Sequence, residues 1–352
     1  MFKELPISAF LEHRNTRVVI DVRAPGEFAM GHIAGAVNIP LFDDTERAQV
    51  GISYKHEGRQ AAIRKGLAIT GPKLDQFIAQ VEALSTDRSL AVHCWRGGMR
   101  SKSMATLFDF AGFDTVVLKG GYKAYRARVH DILSQPLQLA ILGGRTGSGK
   151  TLMLEGLAAA GEQVIDLEKL AHHKGSAFGD LGEMAQPSTE MFENLLFEQL
   201  AGMNLEKRIW VEDESHLIGT VFIPESFWKG MRSAPVFFCD VPLEERVRYL
   251  VDTYGHFDAE GITRAVEKIT RRLGGQHAKA ALAHFEAGEL AEATRIVLVY
   301  YDKTYAYGLS QRDQQQIHTL EIPTIDKHVH AAALISLANT TQHKTYSDSI
   351  QQ

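Results

Sequence analysis

Residues 144–151 read GRTGSGKT, and they place the strongest constraint on what this chain can fold into. The stretch matches G-x-x-x-x-G-K-[ST], a phosphate-binding loop (P-loop) that requires a strand before it and a helix after it. The apolar run LQLAILGG leads into the loop and LMLEGLAAAG follows it, so the flanks fit a strand and a helix. An ordinary glycine-rich turn would not need both. Glycines let backbone N–H groups approach a phosphate, lysine adds a point charge and threonine can coordinate magnesium. The predicted loop comprises Gly144, Arg145, Thr146, Gly147, Ser148, Gly149, Lys150 and Thr151.

A second loop, HCWRGGMRS at residues 93–101, carries a cysteine and an arginine six positions apart. This spacing is typical of a cradle in which backbone N–H groups surround a tetrahedral oxyanion and Arg100 closes the ring. A phosphatase would use such a cradle, and so would a sulfur carrier. The flanking patterns predict a strand running into the loop and a helix leaving it, which would favour a thiolate over a buried structural cysteine. The candidate nucleophile is Cys94, and the candidate anion loop comprises Trp95, Arg96, Gly97, Gly98, Met99, Arg100 and Ser101.

Composition narrows the setting of these loops. The chain has 352 residues, 45% of them hydrophobic and 23% charged, which is enough for two domains with cores of their own. Its two cysteines lie far apart in sequence and predict neither a disulfide framework nor a cysteine-rich zinc site. The formal charge of −5 means that a nucleic acid would have to be held by local basic patches. We expect a cytoplasmic protein, because no signal peptide or membrane-spanning apolar run is evident.

The pattern of apolar runs predicts an α/β fold in two parts. RVVIDVR, SLAVHCW and TVVLKGG are predicted strands, and MRSKSMATLFDFAG is a predicted helix with its apolar face formed by Met104, Leu107, Phe108 and Ala111. After a change of pattern near residues 133–136, RIWVEDE, APVFFCDV and RIVLVYY are predicted strands spaced by helices, as a parallel sheet requires. We therefore predict domains at residues 1–133 and 134–352, the second ending in a helical region that contacts nucleic acid.

Other residues are weaker candidates. Glu212 and Asp213 end a predicted strand and would suit a magnesium-binding carboxylate pair, although any strand can end in acids. One cationic group could track a nucleic-acid backbone or simply form a solvated helix face: Arg264, Lys268, Arg271 and Arg272. Another group could contact a donor phosphate or a base, or serve as helix caps: His173, Lys174 and Ser176. Cys239 lies in an apolar strand and is predicted to be a core thiol, whereas Asp21 and Arg23 are predicted to brace the cysteine loop.

The stretch DVRAPGEFAMGHIAGAVNIPL, together with SLAVHCW and LKGGYKAY, resembles the rhodanese fold. The resemblance covers roughly residues 1–133. The loop after the cysteine is one residue longer than in many sulfur-transferring rhodaneses and is similar to that of rhodanese-fold phosphatases, so a phosphate-sized group fits it better. The implied architecture is a rhodanese-like domain followed by a P-loop NTPase-like domain with a parallel sheet.

Several further stretches make nearly the whole chain resemble the bacterial tRNA 2-selenouridine synthases. They are HCWRGGMRS, GGRTGSGKT, DLEKLAHHKGSAFG, QPSTEMFENLL, VEDESHLIG, YYDKTY and VGISYKHEGRQAAIRKG. Three positions depart from the expected pattern, namely Lys174, His216 and Lys303, and they leave local contacts open.

This resemblance implies a transferase that replaces the sulfur of a wobble 2-thiouridine in tRNA by selenium from selenophosphate, after geranylation of the sulfur by geranyl diphosphate. It also implies an enzyme that supplies selenophosphate as a partner. We expect the cysteine loop to receive selenophosphate and the P-loop to hold the diphosphate. Covalent transfer through Cys94, magnesium and ATP use stay open. The alternatives are a phosphatase or sulfurtransferase fused to a small-molecule kinase, and a non-catalytic nucleotide-dependent binding protein.

Overall fold

The computed structural model describes residues 1–254 and 259–350. The chain divides into two compact units. The first unit is Met1–Ile132 with Glu193–Glu198, and the second is Leu133–Phe192 with Gln199–Gln352. Within the described residues each unit has its own five-stranded sheet, and every neighbouring pair of strands in both sheets is parallel. The prediction that residues 1–133 and 134–352 are separate domains stays a prediction.

The first unit is a parallel sheet with helices between its strands. Its strands are β1 (Lys3–Leu5), β2 (Val18–Asp21), β3 (Val37–Asn38), β4 (Ser89–His93) and β5 (Asp114–Leu118). Its helices are α1 (Ile7–His13), α2 (Pro25–Met30), α3 (Asp44–His56), α4 (Arg59–Thr70), α5 (Leu74–Leu84), α6 (Met99–Phe110) and α7 (Gly121–Leu133). The strand order is β1-β5-β4-β2-β3.

The core of this unit explains why its central strands are continuous apolar runs. Helices cover both faces of a parallel sheet, so successive side chains of a central strand are buried whichever way they point. Leu90, Ala91 and Val92 of β4 are all 0% exposed. Met104 and Phe108 lie four residues apart on α6 and are also buried in this core. The predicted apolar face of that helix is therefore confirmed.

The second unit has the same layered plan with a different strand order. Its strands are β6 (Leu139–Gly144), β7 (Gln163–Ile165), β8 (Ile209–Glu212), β9 (Leu217–Ile218), β10 (Val221–Phe222), β11 (Val236–Asp240) and β12 (Ile317–Glu321). Its helices, one of which also supplies Glu193–Glu198 to the first unit, are α8 (Lys150–Ala159), α9 (Leu167–Ala171), α10 (Thr189–Ala201), α11 (Glu225–Ser233), α12 (Leu243–Tyr254), α13 (Ala259–Leu273), α14 (Gly275–Glu286), α15 (Leu290–Ser310) and α16 (Lys327–Ile350). The parallel order is β12-β11-β6-β8-β7, and β9 and β10 form an antiparallel hairpin.

One strand prediction in the second unit is wrong. RIVLVYY lies inside α15, where Ala293 and Val297 are buried one helical turn apart. A short apolar run has no periodicity of its own, so it is compatible with a strand or with a buried stretch of helix. The fifth strand is instead β12, an edge strand of half-buried and exposed residues. The prediction of an α/β fold built on parallel sheets is confirmed.

Both candidate loops lie at carboxyl ends of parallel strands. The cysteine loop follows β4, and residues 145–149 follow β6. Glu212 ends β8, which is hydrogen-bonded to β6. Ligands in open α/β folds bind at this edge of the sheet. Among the described residues, no helix is both long and apolar enough to span a membrane.

Candidate functional sites

The cysteine loop joins β4 to α6 in the first unit. Cys94 directly follows His93, the last residue of β4, and α6 begins at Met99. Cys94 is only 3% exposed, and its Sγ lies 3.2 Å from the Oγ of Ser101 in the first turn of α6. The loop and the start of the helix therefore enclose the thiol.

The backbone of the loop is held by the start of α7. The carbonyl oxygen of Cys94 accepts a hydrogen bond of 2.8 Å from the N–H of Tyr122. Because C=O and N–H of a trans peptide point in opposite directions, the N–H of Trp95 faces away from α7. Gly121 has φ +61°, and a Cβ there would lie 2.3 Å from the Cys94 carbonyl oxygen. Only glycine permits this close packing.

The two arginines of the loop have different surroundings. Arg100 donates to Oε2 of Glu27 at 2.7 Å, and Arg47 donates to the same oxygen at 2.9 Å. Burial alone would raise the pKa of Glu27, but the hydrogen bond and charge of Arg100 outweigh burial and hold that pKa below its ordinary value. Arg96 is exposed. Closure of the loop around an anion by Arg100 stays a prediction.

A buried polar cluster supports the base of the loop. Arg23 and Asp21 form a 2.6 Å ion pair that is almost fully buried, and the guanidinium lies 3.8 Å from the ring centroid of Tyr122. Tyr122 in turn binds the Cys94 carbonyl oxygen through its backbone. Burial lowers the pKa of His93 to about 4, so the imidazole is neutral at neutral pH. Asp21 and Arg23 therefore reach the loop through Tyr122, and their bracing role stays a prediction.

In the second unit, residues 144–151 form the predicted strand, loop and helix. β6 ends at Gly144, and α8 begins at Lys150. Gly149 has φ +76°, and a Cβ there would lie 2.8 Å from Ile325, so the last turn before the helix requires glycine. Lys150 Nζ lies 3.4 Å from the carbonyl oxygen of Gly144, which folds the lysine back over the loop. The amino terminus of α8 adds its positive dipole end at this place.

Three glutamates lie near the ammonium of Lys150. Burial alone would lower the pKa of Lys150, but the charges of Glu168, Glu214 and Glu212 outweigh burial and raise it. Glu212 is 2% exposed, and its Oε1 accepts a 2.8 Å hydrogen bond from the N–H of Glu168. Its Oε2 is buried and has no hydrogen-bond partner among the described residues. Burial and the neighbouring carboxylates Asp166 and Glu168 raise the pKa of Glu212 well above its ordinary value.

The burial of Glu212 leads to a prediction for the unfolding free energy of Glu212→Gln. A raised carboxyl pKa means that the folded state binds more protons than the unfolded state, so stability is lost as pH rises from the ordinary carboxyl range through the folded pKa. Glutamine keeps the acceptor for the Glu168 N–H and does not ionise. We expect the variant to gain on the order of 1 kcal/mol in unfolding free energy at about pH 8 and nothing below about pH 4.5.

Urea denaturation at both pH values measures the difference. The exposed carboxylate of Glu206 provides the control variant Glu206→Gln, which should change little at either pH. A gain for Glu212→Gln of equal size at both pH values would contradict this account of the buried charge.

Asp213 is tied to the P-loop by a chain of hydrogen bonds. Arg312 donates to Oδ1 of Asp213 at 2.5 Å, and Tyr305 donates to Oδ2 at 3.1 Å. The Tyr305 hydroxyl also accepts from the N–H of Gly144 at 2.9 Å. Both oxygens of Asp213 are thus engaged. Within the described residues, no group of three or more His, Cys, Asp or Glu side chains is arranged to hold a metal ion.

The P-loop opens into a cavity of about 830 Å³ within the second unit. One end of the cavity, the apolar end, is lined by helices α13, α14 and α15 through Ile262, Val266, Ala281, Phe285, Ala293 and Val297. Another part of the wall, here called the aromatic end, is formed by His216, Trp228, Arg232 and Tyr307. Lys150, Glu168 and Glu214 line the cavity as well. A ligand in this cavity would meet cationic, apolar and aromatic surfaces together.

The structure separates the weaker candidates into two groups. Lys174 and Ser176 line the cavity. Burial lowers the pKa of the neighbouring His173. Four cations lie on the exposed face of α13, away from the residues that line the cavity: Arg264, Lys268, Arg271 and Arg272. Of these, Arg264 pairs with Glu260 and Lys268 pairs with Asp180, so part of their charge is neutralised. Their contact with RNA stays a prediction.

Sequence reasoning named His216 only as a departure from the family pattern, and it missed the rest of the aromatic end and the bundle that forms the apolar end. Trp228 and Arg232 are four residues apart and so share a face of α11, but nothing local indicates that this face meets the P-loop. The 3.6-residue spacing of Ile262, Val266, Ile269 and Leu273 in α13 does give an apolar stripe, and this signal could have found the bundle. Cys239 is fully buried and burial raises its pKa to about 12, so the core thiol prediction is confirmed.

Two protein-family models match the chain. Residues 8–128 match the rhodanese-like domain, and residues 137–334 match the tRNA 2-selenouridine synthase AAA domain. The predicted order of a rhodanese-like domain followed by a P-loop-type parallel-sheet domain is therefore confirmed.

Bacterial relatives are similar to this chain over most of its length. A Bdellovibrio bacteriovorus HD100 protein named tRNA 2-selenouridine synthase is 36% identical, and the match covers 84% of this chain and 89% of that protein. A Shewanella denitrificans OS217 protein of the same name is 35% identical, with 88% of this chain and 92% of that protein covered. Among solved structures, the N-terminal domain of a candidate ATP/GTP binding protein from Clostridium difficile 630 is 36% identical with a TM-score of 0.34, covering 36% of this chain and 98% of that domain. By its family match and its relatives over nearly full length, the chain belongs to the tRNA 2-selenouridine synthase family.

Proposed function

We propose that this protein replaces the sulfur of a wobble 2-thiouridine in tRNA by selenium in two steps. In the first step geranyl diphosphate alkylates the sulfur, and in the second step selenium from selenophosphate displaces the S-geranyl group. The relatives named tRNA 2-selenouridine synthase support the overall reaction. The observation that carries the two-step form is the single cavity that joins a P-loop to an apolar end.

Geranyl diphosphate has two chemically different parts, and the cavity has a surface for each. The diphosphate suits the loop at residues 144–151, where backbone N–H groups, the dipole of α8 and Lys150 supply positive charge. The ten-carbon tail suits the apolar end, where Val266, Phe285 and Val297 contribute apolar side chains. A nucleoside triphosphate would need the first surface and would leave the second without a ligand.

In the first step, the sulfur of the thiouracil attacks C1 of the geranyl group. The new C–S bond forms, the C–O bond to diphosphate breaks, and the proton on N3 of the ring leaves so that the alkylated base is neutral. Lys150 and the loop N–H groups are aimed at the charge that develops on the departing diphosphate, which is where preorganised charge lowers the barrier most.

In the second step, the alkylated sulfur is a competent leaving group and the ring carbon is a better electrophile. The alkylated base, selenophosphate and one water give the selenouridine, geranyl thiol and phosphate. We assign the selenium donor to Cys94 and the loop Trp95, Arg96, Gly97, Gly98, Met99, Arg100 and Ser101. Covalent transfer through Cys94 and direct delivery from bound selenophosphate both fit this assignment.

We derive no step through magnesium, whose part in the reaction stays a prediction. The carboxylate of Asp213 is engaged by Arg312 and Tyr305, and the unpaired Glu212 oxygen is buried. Asp213 and Glu212 therefore do not form a ready cation site.

The apolar end leads to a prediction about the chain length of the prenyl donor that the protein prefers. Ala293 lines the cavity on α15, and Ala293→Leu would fill part of the space assigned to the prenyl tail. We expect the ratio of kcat/KM for geranyl diphosphate to that for the five-carbon dimethylallyl diphosphate to fall by about tenfold or more, because the longer tail loses its fit. The measurement is prenylation of a 2-thiouridine RNA with each donor.

Ala283→Leu is the matched control, because Ala283 is exposed on the neighbouring helix α14 and does not line the cavity. Affinity for inorganic pyrophosphate should stay the same in both variants. An unchanged donor ratio in an Ala293→Leu protein that remains folded would contradict the assignment of the tail.

A further inference from the structure

The aromatic end of the cavity combines neighbouring aromatic rings with an arginine. It is formed by His216 before β9, Trp228 and Arg232 on α11, and Tyr307 on α15. The ring centroids of His216 and Trp228 are 4.9 Å apart, with 38° between the ring planes. Aromatic surface therefore continues from the protein exterior into the cavity that holds the P-loop.

A cation lies beside these rings. The guanidinium carbon of Arg232 is 6.0 Å from the ring centroid of Trp228, one helical turn away on α11. Arg232 lies 3.4 Å from the carbonyl oxygen of Gly308, and no ion pair of its side chain is found among residues 1–254 and 259–350. Its charge thus remains available to a ligand in the cavity.

Exposed aromatic side chains continue outside this end, beside the ion pair of Glu225 with Lys229. Tyr307 is 69% exposed, and Phe222, whose ring lies 5.6 Å from that of His216, is 50% exposed. Large exposed aromatic side chains grouped around a cavity mouth mark a binding surface. Single-stranded nucleic acids bind to surfaces that combine flat rings with arginine, because every base has a π-face that can stack and arginine adds a cation.

We propose that the aromatic end is a nucleobase-stacking site, in which Trp228 and His216 hold the unstacked target base of the RNA beside the P-loop. The inference rests on the proposed function, because this site would hold the base that accepts the prenyl group. With the diphosphate at the P-loop and the tail at the apolar end, the aromatic end supplies the rings on which the thiouracil can stack as it approaches the reacting carbon. Arg232 faces the base or its phosphate.

A photochemical cross-link tests where the base lies. The probe is an anticodon stem-loop RNA with 5-iodouridine at the target position, irradiated in complex with the full-length protein and mapped by mass analysis of peptides. We expect the cross-link at Trp228 or His216. A cross-link confined to other segments would overturn the proposal. The readout needs neither geranyl nor selenium chemistry, so it is independent of whether the proposed donors are correct.

Two substitutions of one residue separate stacking from folding. Trp228→Leu should raise the Kd for the stem-loop by about tenfold or more, since loss of one base–aromatic stack has an effect of this size, and Trp228→Phe should restore most of the affinity. Affinity for inorganic pyrophosphate, measured on the same preparations, should stay within about twofold of wild type if the fold is intact. Phe110→Leu, which removes a ring that is 90% exposed on α6, is the control for aromatic surface elsewhere.

Further outcomes decide between RNA and a free nucleotide as the source of the base. Loss of the cross-link on addition of ATP, with no loss on addition of pyrophosphate, would assign the aromatic end to the base of a free nucleotide and overturn the RNA site. A wild-type Kd in Trp228→Leu would also overturn it. If wild-type protein prenylates the RNA while the cross-link maps elsewhere, the stacking site is wrong and the proposed function stands.

Discussion

Replacing Cys94 by alanine should abolish selenation while leaving S-geranylation largely intact. The thiol is enclosed by the loop at residues 94–101, and the proposal assigns this loop to the selenium donor. The prenyl donor is assigned to the other unit, so the first reaction does not need the thiol. The measurement is the yield of 2-selenouridine and of S-geranyl-2-thiouridine from the same incubation.

Cys239→Ala is the matched control, because that thiol is fully buried in β11 and carries no proposed role. It should retain both activities. Equal loss of geranylation and selenation in Cys94→Ala would contradict the division of labour between the two loops. Normal selenation by this variant would show that Cys94 has no role in the reaction.

Replacing Lys150 by alanine should lower geranylation by on the order of a hundredfold or more, the effect expected for loss of one preorganised charge at a leaving group. RNA that already carries S-geranyl-2-thiouridine bypasses this step, so its selenation should survive. Single-turnover prenylation measures the first effect, and nucleoside analysis measures the second.

Lys207→Ala removes an exposed lysine of the same unit and should leave both steps unchanged. A Lys150→Ala protein that geranylates normally but cannot selenate would reverse the assignment. It would point to a nucleotide at the P-loop that drives the second step.

Local motifs were enough to predict both loops from the sequence. Gly144 and Gly149 define a turn whose strand and helix are adjacent in the chain, and Cys94 and Arg100 lie on one such turn as well. The roles of these residues remain proposals, but their positions at the carboxyl ends of β6 and β4 follow from short-range patterns.

Features that depend on tertiary packing could not be predicted in the same way. The run RIVLVYY is apolar at every position except Arg295, so it gave no helical period, and its helical state depends on packing against the neighbouring helices. β12 was not predicted, because an edge strand is only half buried and its sequence need not be a continuous apolar run. Trp228 and Tyr305 become candidate site residues only when α11 and α15 are brought to the P-loop by the fold.

The most direct test of the account is mass analysis of nucleosides from 2-thiouridine tRNA incubated with the purified protein, first with geranyl diphosphate and then with selenophosphate. We expect S-geranyl-2-thiouridine after the first addition and 2-selenouridine after the second. Formation of 2-selenouridine without any geranylated nucleoside would contradict the two-step reaction, and phosphate release with no change in the tRNA would contradict the proposed function itself.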